Sequence, residues 1–434
     1  MSDELFALLE KLASRIVHVI EEDSSKGSIQ SVEEVYQFWR VDGFQYTDKG
    51  VKVNGGGSEE RKRKRWTIAS TKLYEMINHS DEYKSVLTYL SQAFTKNDNI
   101  PSYLTTFIAY IIDLYLEHAD PERTQGEIER CISNFIHELK GEAIEYNVTA
   151  ELDGVILQAE SIEISDRILL RQTRIKDLEK ELHEVPFGHP TFRKPSAILS
   201  FMVLADKFTD AQIESIQFIQ RSNALLRLFK VGSVANIGSK IKSESVLGIK
   251  GVGSSPIYPQ HILEQYLVSI EDVPKLKRFW KIMSEAMPKS FFDDRASKID
   301  YLTIAYNRYC DALFQQVIIE GRFANAMMGI EALFLKPVEK DEVGYRLRMR
   351  VSKVLGLFGF DYQEVIRMIK DGYGIRSGFV HGGQLSYKDK KELEMKYKKL
   401  NSVLHSLLEY LRVAIIFMIL VHKDKEEGFW SVNG

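Results

Sequence analysis

The side chains best suited to chemistry stand in one short stretch, Tyr373-Gly374-Ile375-Arg376-Ser377-Gly378-Phe379-Val380-His381-Gly382-Gly383. Arg376 is a permanent, fork-shaped cation matched to a phosphate. His381 belongs to the residue type that exchanges a proton near neutral pH. Cleavage of RNA through its own 2′-hydroxyl needs both services. The hydroxyl must lose a proton, the charge building on the phosphate oxygens must be stabilised, and the 5′-oxygen must gain a proton. Four residues separate the pair. On a straight helix they would stand about 140° apart in rotation and about 7.5 Å apart along the axis. They do not stack as an i, i+4 pair would, but they border one groove if the helix gives way at the glycines. Gly382 is a natural helix terminator, and it leaves His381 at the negative end of the dipole, which suits an imidazole that holds or delivers a proton. On spacing alone a plainer reading is the commoner one: Arg376 pairs with a carboxylate and His381 merely caps a helix.

Helical periodicity must position these residues. Val365, Ile366, Met368 and Ile369 precede them with the spacing of one apolar face. Helical patterns also run through 263–282, 296–336, 341–357 and 390–422, and 296–336 is long enough for two helices with a break. The period shifts to two near residue 146, where Val148, Ala150 and Leu152 alternate with polar neighbours. Ile162 and Ile164 continue the alternation, Ser165-Asp166 turns the chain, and Ile168 to Leu170 returns it. Thr173 opens a charged helix over 174–183, and Thr209 with Gln212 forms a capping box for the next. Gly188 to Pro195 reads as a loop. A Gly/Ser-rich segment, Val231 to Pro259, closes this part. Toward the N-terminus, Leu5, Leu9, Leu12, Ile16 and Val19 mark a helix. A mixed aromatic stretch and the turn Asn54-Gly55-Gly56-Gly57-Ser58 follow, and helix resumes from about Thr67 to Leu139. The expected fold is mainly α: a helical N-terminal region over 1–144, a small α/β region over 145–262, a helical bundle over 263–425 and a tail over 426–434.

Composition narrows the function. At 434 residues the chain suggests about three domains. Its 44% hydrophobic and 27% charged residues are those of a chain with ample core, not a mainly disordered one. With 58 basic and 61 acidic residues the net charge is −3, so contact with nucleic acid must come from a local patch. Cys131 and Cys310 cannot form a disulfide framework, and the expected setting is reducing and cytoplasmic. The acidic N-terminus does not read as a signal peptide. The longest apolar run, Val413 to Val421, has nine residues where a membrane helix needs about 20, so no membrane partner is expected.

Other motifs fall away. Gly232 to Lys240 misses the phosphate-loop spacing by one residue, and Gly248 to Gly253 lacks a strand–glycine–helix setting. HExxH, paired metal-spaced histidines and GxSxG are absent from the sequence, so neither metal nor cofactor is expected. Arg61 to Arg65 is a run of five cations followed by Trp66. It reads either as a phosphate-binding or localisation patch or as a solvated loop made mobile by the glycine turn. The lysine-rich stretch 388–399 reads as the wet face of a helix.

The C-terminal part resembles an Apea-like HEPN domain, a branch of the HEPN superfamily. Gly329-Ile330-Glu331-Ala332-Leu333-Phe334-Leu335 is similar to the family's "GLEALFL" helix. Tyr345 to Arg350 with Val354-Leu355-Gly356 is similar to its basic, apolar second helix. Tyr373, Arg376-Ser377 and Val380-His381-Gly382 resemble its "Y..RS..VHG" signature, which contains the Rx4–6H ribonuclease motif. The likeness covers roughly 146–425 and is strongest over 300–385. It implies a HEPN-type bundle that forms a homodimer with two Arg–His pairs across a shared cleft, and metal-independent endoribonuclease activity in a regulated defence or toxin-like effector. Carried over, Arg376 binds the scissile phosphate and His381 acts as general base or acid. Ser377 and Tyr373 are the substrate-binding positions, Ser377 orienting His381 or binding phosphate and Tyr373 packing or lining the cleft. Glu331 is expected to pair with Arg376 or Arg350. The expected partner is RNA, with an unknown trigger acting through the N-terminal region as a sensor. The alternative is a non-catalytic RNA- or nucleotide-binding or dimerisation module.

Overall fold

A computed structural model describes residues 2–24, 29–68, 71–94, 99–117, 121–182, 194–243, 245–248, 251–254, 265–293, 300–314, 318–336, 338–339, 341–382 and 386–421. The fold is mainly α, with fourteen helices and a smaller sheet region among these residues. The expected tail over 426–434, His422 and most of the loop 188–195 lie outside the described residues.

The N-terminal apolar stripe folds as α1 (Ser2–Ser24), burying Leu5, Leu9, Leu12, Ile16 and Val19 against α2 (Thr71–Asn78), α3 (Asp81–Ala93), α4 (Ile100–Glu117) and α5 (Pro121–Leu139). Between α1 and α2 the chain forms β1 (Ile29–Arg40), the small hairpin β2 (Phe44–Thr47) and β3 (Gly50–Val53), and β4 (Gly57–Ile68). The five-cation run is therefore strand, not loop, and the helix expected from Thr67 starts at Thr71. β1 and β4 pair antiparallel over their whole length, setting Lys64 opposite Glu33 and Arg63 opposite Glu34. Lys62 Nζ reaches Glu33 at 2.9 Å, and the Arg61 guanidinium lies 3.4 Å over the Phe38 ring. Opposite charges and aromatics across strands stabilise such a ribbon. The cause lies about 30 residues away in β1, so no periodicity within the cations announces it.

The middle region supplies β5 (Ile144–Asp153), β6 (Val155–Leu157), β7 (Ser161–Ser165), β8 (Ile168–Gln172), α6 (Ile175–Leu178), β9 (Lys180–Leu182), β10 (Ala197–Ala205), α7 (Phe208–Phe229), β11 (Ala235–Ser243), β12 (Gly251–Ser254) and β13 (Tyr266–Val268). An antiparallel sheet runs β12-β11-β5-β10-β8-β7, with α7 across it. The alternation read near residue 146 buries Tyr146, Val148, Ala150 and Leu152. Three helix expectations change. The one over 263–282 begins only at Asp272, because residues 266–268 form β13 and pair with β6. The helix over 174–183 shrinks to four residues, because Asp177 folds back onto the Arg174 N–H (2.7 Å) and takes both Arg171 Nη atoms (2.6 and 2.8 Å). The chain then becomes β9 and pairs with β1. α7 opens at Phe208 behind Lys207, ahead of the expected Thr209 cap. The Gly/Ser-rich segment contributes β11 and β12, and Gly232 gives Tyr266 its space: a Cβ there would lie 2.7 Å from the ring.

The C-terminal helices are α8 (Asp272–Ala286), α9 (Tyr301–Phe314), α10 (Ile319–Phe334), α11 (Val343–Gly356), α12 (Tyr362–Val380), α13 (Tyr387–Tyr397) and α14 (Leu400–Val421). The break expected within 296–336 falls between α9 and α10. The stretch 390–422 divides at Lys398, which takes a positive φ of 67°. α10 sits at the centre, packed on α9, α11, α12 and α14. Two glycines permit the approach. A Cβ at Gly329 would meet Leu411 at 2.6 Å, and one at Gly372 would meet Leu407 at 2.8 Å and Met327 at 2.9 Å. By length and composition α14 could cross a membrane, yet 67% of its apolar window is buried inside the fold, as in a core helix.

The apolar cores divide between Leu139 and Ile144: one gathers α1–α5, and the other joins the sheet to the C-terminal helices. Val246 and Leu247 cross the divide into the N-terminal core, where Glu138 accepts the Val246 and Leu247 N–H groups (2.6 and 3.0 Å) and the Ser245 hydroxyl (2.9 Å).

Candidate functional site

α12 is held at both ends and along one face. Asp361 caps its start by accepting the Glu364 N–H at 2.7 Å. Val365, Met368, Ile369 and Ile375 are buried, and Gly372 lets the helix close on α10 and α14. The helix runs unbroken through Gly374 and Gly378 to Val380, so the give at the glycines that would bring both residues to one groove is not present. His381 caps it, donating its backbone N–H to the Ser377 carbonyl at 3.2 Å. Gly382 then turns the chain at φ +81°, a conformation that favours glycine.

At 100° per residue, Tyr373, Ser377 and Val380 form the middle of one face of α12. Arg376 and His381 flank that face, each about 70° from its centre. The rotation of about 140° and the rise of about 7.5 Å expected from the spacing are thus kept. Tyr373 is half-buried against the main core, with Gly344 of α11 beside its ring. The Ser377 hydroxyl has no hydrogen-bond partner among the described residues; Ser377 meets His381 through its carbonyl. His381 and Val380 are exposed.

Arg376 is partly buried, and its Nη2 donates to Glu331 Oε2 of α10 at 3.0 Å. Of the two arginines the sequence allowed Glu331, the structure pairs it with Arg376. The contact is single-pronged. Arg376 Nε and Glu331 Oε1 are both buried without a hydrogen-bond partner. Burial pushes the Glu331 carboxyl above its ordinary range, and the Arg376 charge opposes that push without overcoming it.

Arg350 belongs instead to Glu339, gripping it with both Nη atoms at 2.7 and 2.6 Å. Arg346 stands 3.7 Å from the same carboxylate. Between them, Arg348 donates Nε to the Gly344 carbonyl at 3.0 Å, and its guanidinium lies 6.0 Å from the exposed Tyr345 ring. Among the described residues no carboxylate pairs with Arg348. An unmatched cation thus sits on the helix that borders Tyr373, and reading the sequence did not single it out.

A separate hollow of about 440 Å³ opens between α12 and α13, lined by Lys370, Asp371, Asp389, Glu392 and Lys396. It lies around α12 from Arg376, and its charges are of both signs. Lys396 Nζ and Tyr397 Oη both bond Asp371 at 2.5 Å. Among the described residues, no three His, Cys, Asp or Glu side chains gather as a metal-binding group. Compared with known protein families, with curated proteins and with solved structures, the chain matches none.

Proposed function

We propose that the chain is a metal-independent endoribonuclease of the HEPN type, with Arg376 and His381 acting at a cleft between two copies. The observation that carries this reading is the incomplete pair at Arg376. One Nη2 contact to Glu331 aims the guanidinium, while its Nε has no partner. The Arg376 side chain is about a quarter exposed and its Nη1 donates to no described residue, so a phosphate oxygen can take Nη1 without displacing Glu331. A charge-assisted bond there stabilises the phosphorane as it forms.

His381 is exposed at the end of the same helix. The reaction needs a base at the 2′-hydroxyl and an acid at the 5′-oxygen, and one chain offers one such imidazole here. A two-fold interface supplies the second, since an isologous contact repeats each residue. Exposed Val380 and Tyr345 would give that interface apolar and aromatic contacts. Ser377, with its hydroxyl open, would bind the phosphate, and Tyr373 would form the floor of the cleft. The separate N-terminal core suits a sensor whose state reaches the bundle through the Glu138 contact, in a regulated defence or toxin-like effector of the cytoplasm.

A second reading is a module that binds RNA or dimerises without turnover. The Glu331 contact favours it, since Arg376 already has a carboxylate in the single chain. Incubating the purified chain with structured RNA in EDTA separates the two. Cleavage by the wild type, lost in Arg376→Ala and in His381→Ala, supports the enzyme. RNA retained without products, with affinity falling as salt rises, supports the module. Cleavage equal in both variants is contamination and removes the first reading.

A further inference from the structure

A second place in the molecule combines unmatched donors with open space, far along the chain from Arg376. A hollow of about 610 Å³ opens between the β7–β8 edge, α7 and α8. That is within the usual size of small-molecule sites. One wall is apolar: Ile164 and Ile168 from the strands, Phe218 and Leu225 from α7. Phe218 packs at a 34° tilt on Phe201 with ring centres 4.1 Å apart, which stiffens the wall.

The other wall is cationic. Lys277 and Lys281 project from successive turns of α8, with Arg278 beside them. Arg221 of α7 completes the group, its guanidinium 5.4 Å from the Phe292 ring. Against these four cations stands one carboxylate, Glu285. At the base, Ser222 is 1% exposed and its hydroxyl has no hydrogen-bond partner; the buried Arg221 Nε has none either. Buried donors are normally satisfied, so two orphans lining one cationic hollow mark a missing acceptor.

We propose that this hollow binds a small phosphorylated molecule with a flat apolar body, of nucleotide size. The phosphate would lie on the accessible part of the Arg221 guanidinium and on the α8 lysines, which approach from different helices, and the buried Arg221 Nε and Ser222 hydroxyl would turn to it as it enters. The body lies along Phe218 and Ile168, and Glu285 accepts a hydroxyl of the ligand. A second hollow of about 400 Å³ shares Ser165, Ile168 and Phe218 and extends the apolar wall.

The test is calorimetric titration of the full chain at low salt with each of the four ribonucleoside monophosphates. Adenosine and inorganic phosphate are separate arms. At least one nucleotide is expected to saturate at one per chain with Kd below ~1 mM. Inorganic phosphate binds at least ~10-fold more weakly and adenosine gives no measurable heat, because each carries half of the recognition. Lys277→Glu with Lys281→Glu, both at exposed positions, weakens the nucleotide at least ~10-fold with an unchanged melting temperature. Ser222→Ala weakens it by about threefold. Arg376→Ala leaves it unchanged, which separates this site from the proposed ribonuclease centre. The proposal is overturned if no nucleotide saturates, if phosphate alone binds as tightly, if the charge reversal has no effect, or if Arg376→Ala abolishes binding.

Discussion

Of the glutamate–arginine pairs in the C-terminal bundle, Glu339–Arg350 and Glu331–Arg376 are alike in chemistry and opposite in completeness. Glu339 receives both Nη atoms of Arg350, the Lys336 N–H at 3.0 Å and the more distant Arg346. Those bonds hold its carboxyl far down, at about 2. Arg350 also donates to the Phe334 carbonyl at 2.8 Å, so the pair closes the end of α10. Glu331 receives one bond from Arg376, each partner keeps a buried atom unmatched, and burial pushes its carboxyl up. The same stretch of chain can therefore build a saturated pair. At Arg376 it leaves donor capacity unspent. A guanidinium fixed through Nη2, with an accessible Nη1 bonded to no described residue, is oriented and still able to bind, which a fully committed one is not.

The sharpest way to break this contrast is to remove the open pair's chemistry. Arg376→Ala and His381→Ala are each expected to lower RNA cleavage at least ~100-fold, as for loss of a charge-stabilising or acid–base group. His381→Ala leaves unfolding by urea unchanged because the side chain is exposed. Next is Glu339→Gln, expected to cost on the order of 2 kcal/mol at pH 7, a figure reduced for solvent screening of the pair. A carboxyl lowered by folding contributes stability above its unfolded value near 4.5 and loses it as pH falls toward 2. The gap between wild type and variant in urea unfolding should therefore be full at pH 7 and close in acid.

Gly372→Ala follows. Its methyl would press on Leu407 and Met327, the flexible ends of which yield at a cost of about 1–2 kcal/mol. It tilts α12 on α10, so cleavage should fall while the Glu339 pair keeps its pH dependence. Smallest is Glu331→Gln, expected to change stability at pH 7 by less than about 1 kcal/mol, since burial already disfavours that charge. Its pH trend has the opposite sign. A carboxyl raised by folding contributes fully below its unfolded value, and the contribution is lost as pH rises through the raised one. Relative to Glu331→Gln, the wild type should gain stability toward pH 4, where relative to Glu339→Gln it loses it.

Much of α12 was legible. The Val365, Met368 and Ile369 spacing marks its buried face, and Gly382 marks its end. Glu331, within the apolar stretch Met327 to Leu335, announced a paired charge. Its partner could be narrowed only to Arg376 or Arg350, because α11 and α12 both pack on α10 and their registers against it are tertiary. Local pattern failed where a distant element decides the outcome. β4 is strand because β1 lies opposite, and residues 179–182 leave the helical pattern because β9 joins the same ribbon. The hollow at Arg221 draws its walls from residues 164 to 285 across strands and two helices. Its trace in the sequence is Lys277 and Lys281 one helical turn apart, a spacing that surface helices commonly show.

The central claim is that Arg376 and His381 cleave RNA through the 2′-hydroxyl. It is tested most directly by the ends left on a labelled oligonucleotide in EDTA, compared with the same sequence carrying 2′-deoxyribose throughout. Fragments ending in a 2′,3′-cyclic phosphate and a 5′-hydroxyl, with the deoxy strand intact and no product from His381→Ala, are the predicted result. Cutting of the deoxy strand, 5′-phosphate ends, or equal fragments from His381→Ala would contradict it.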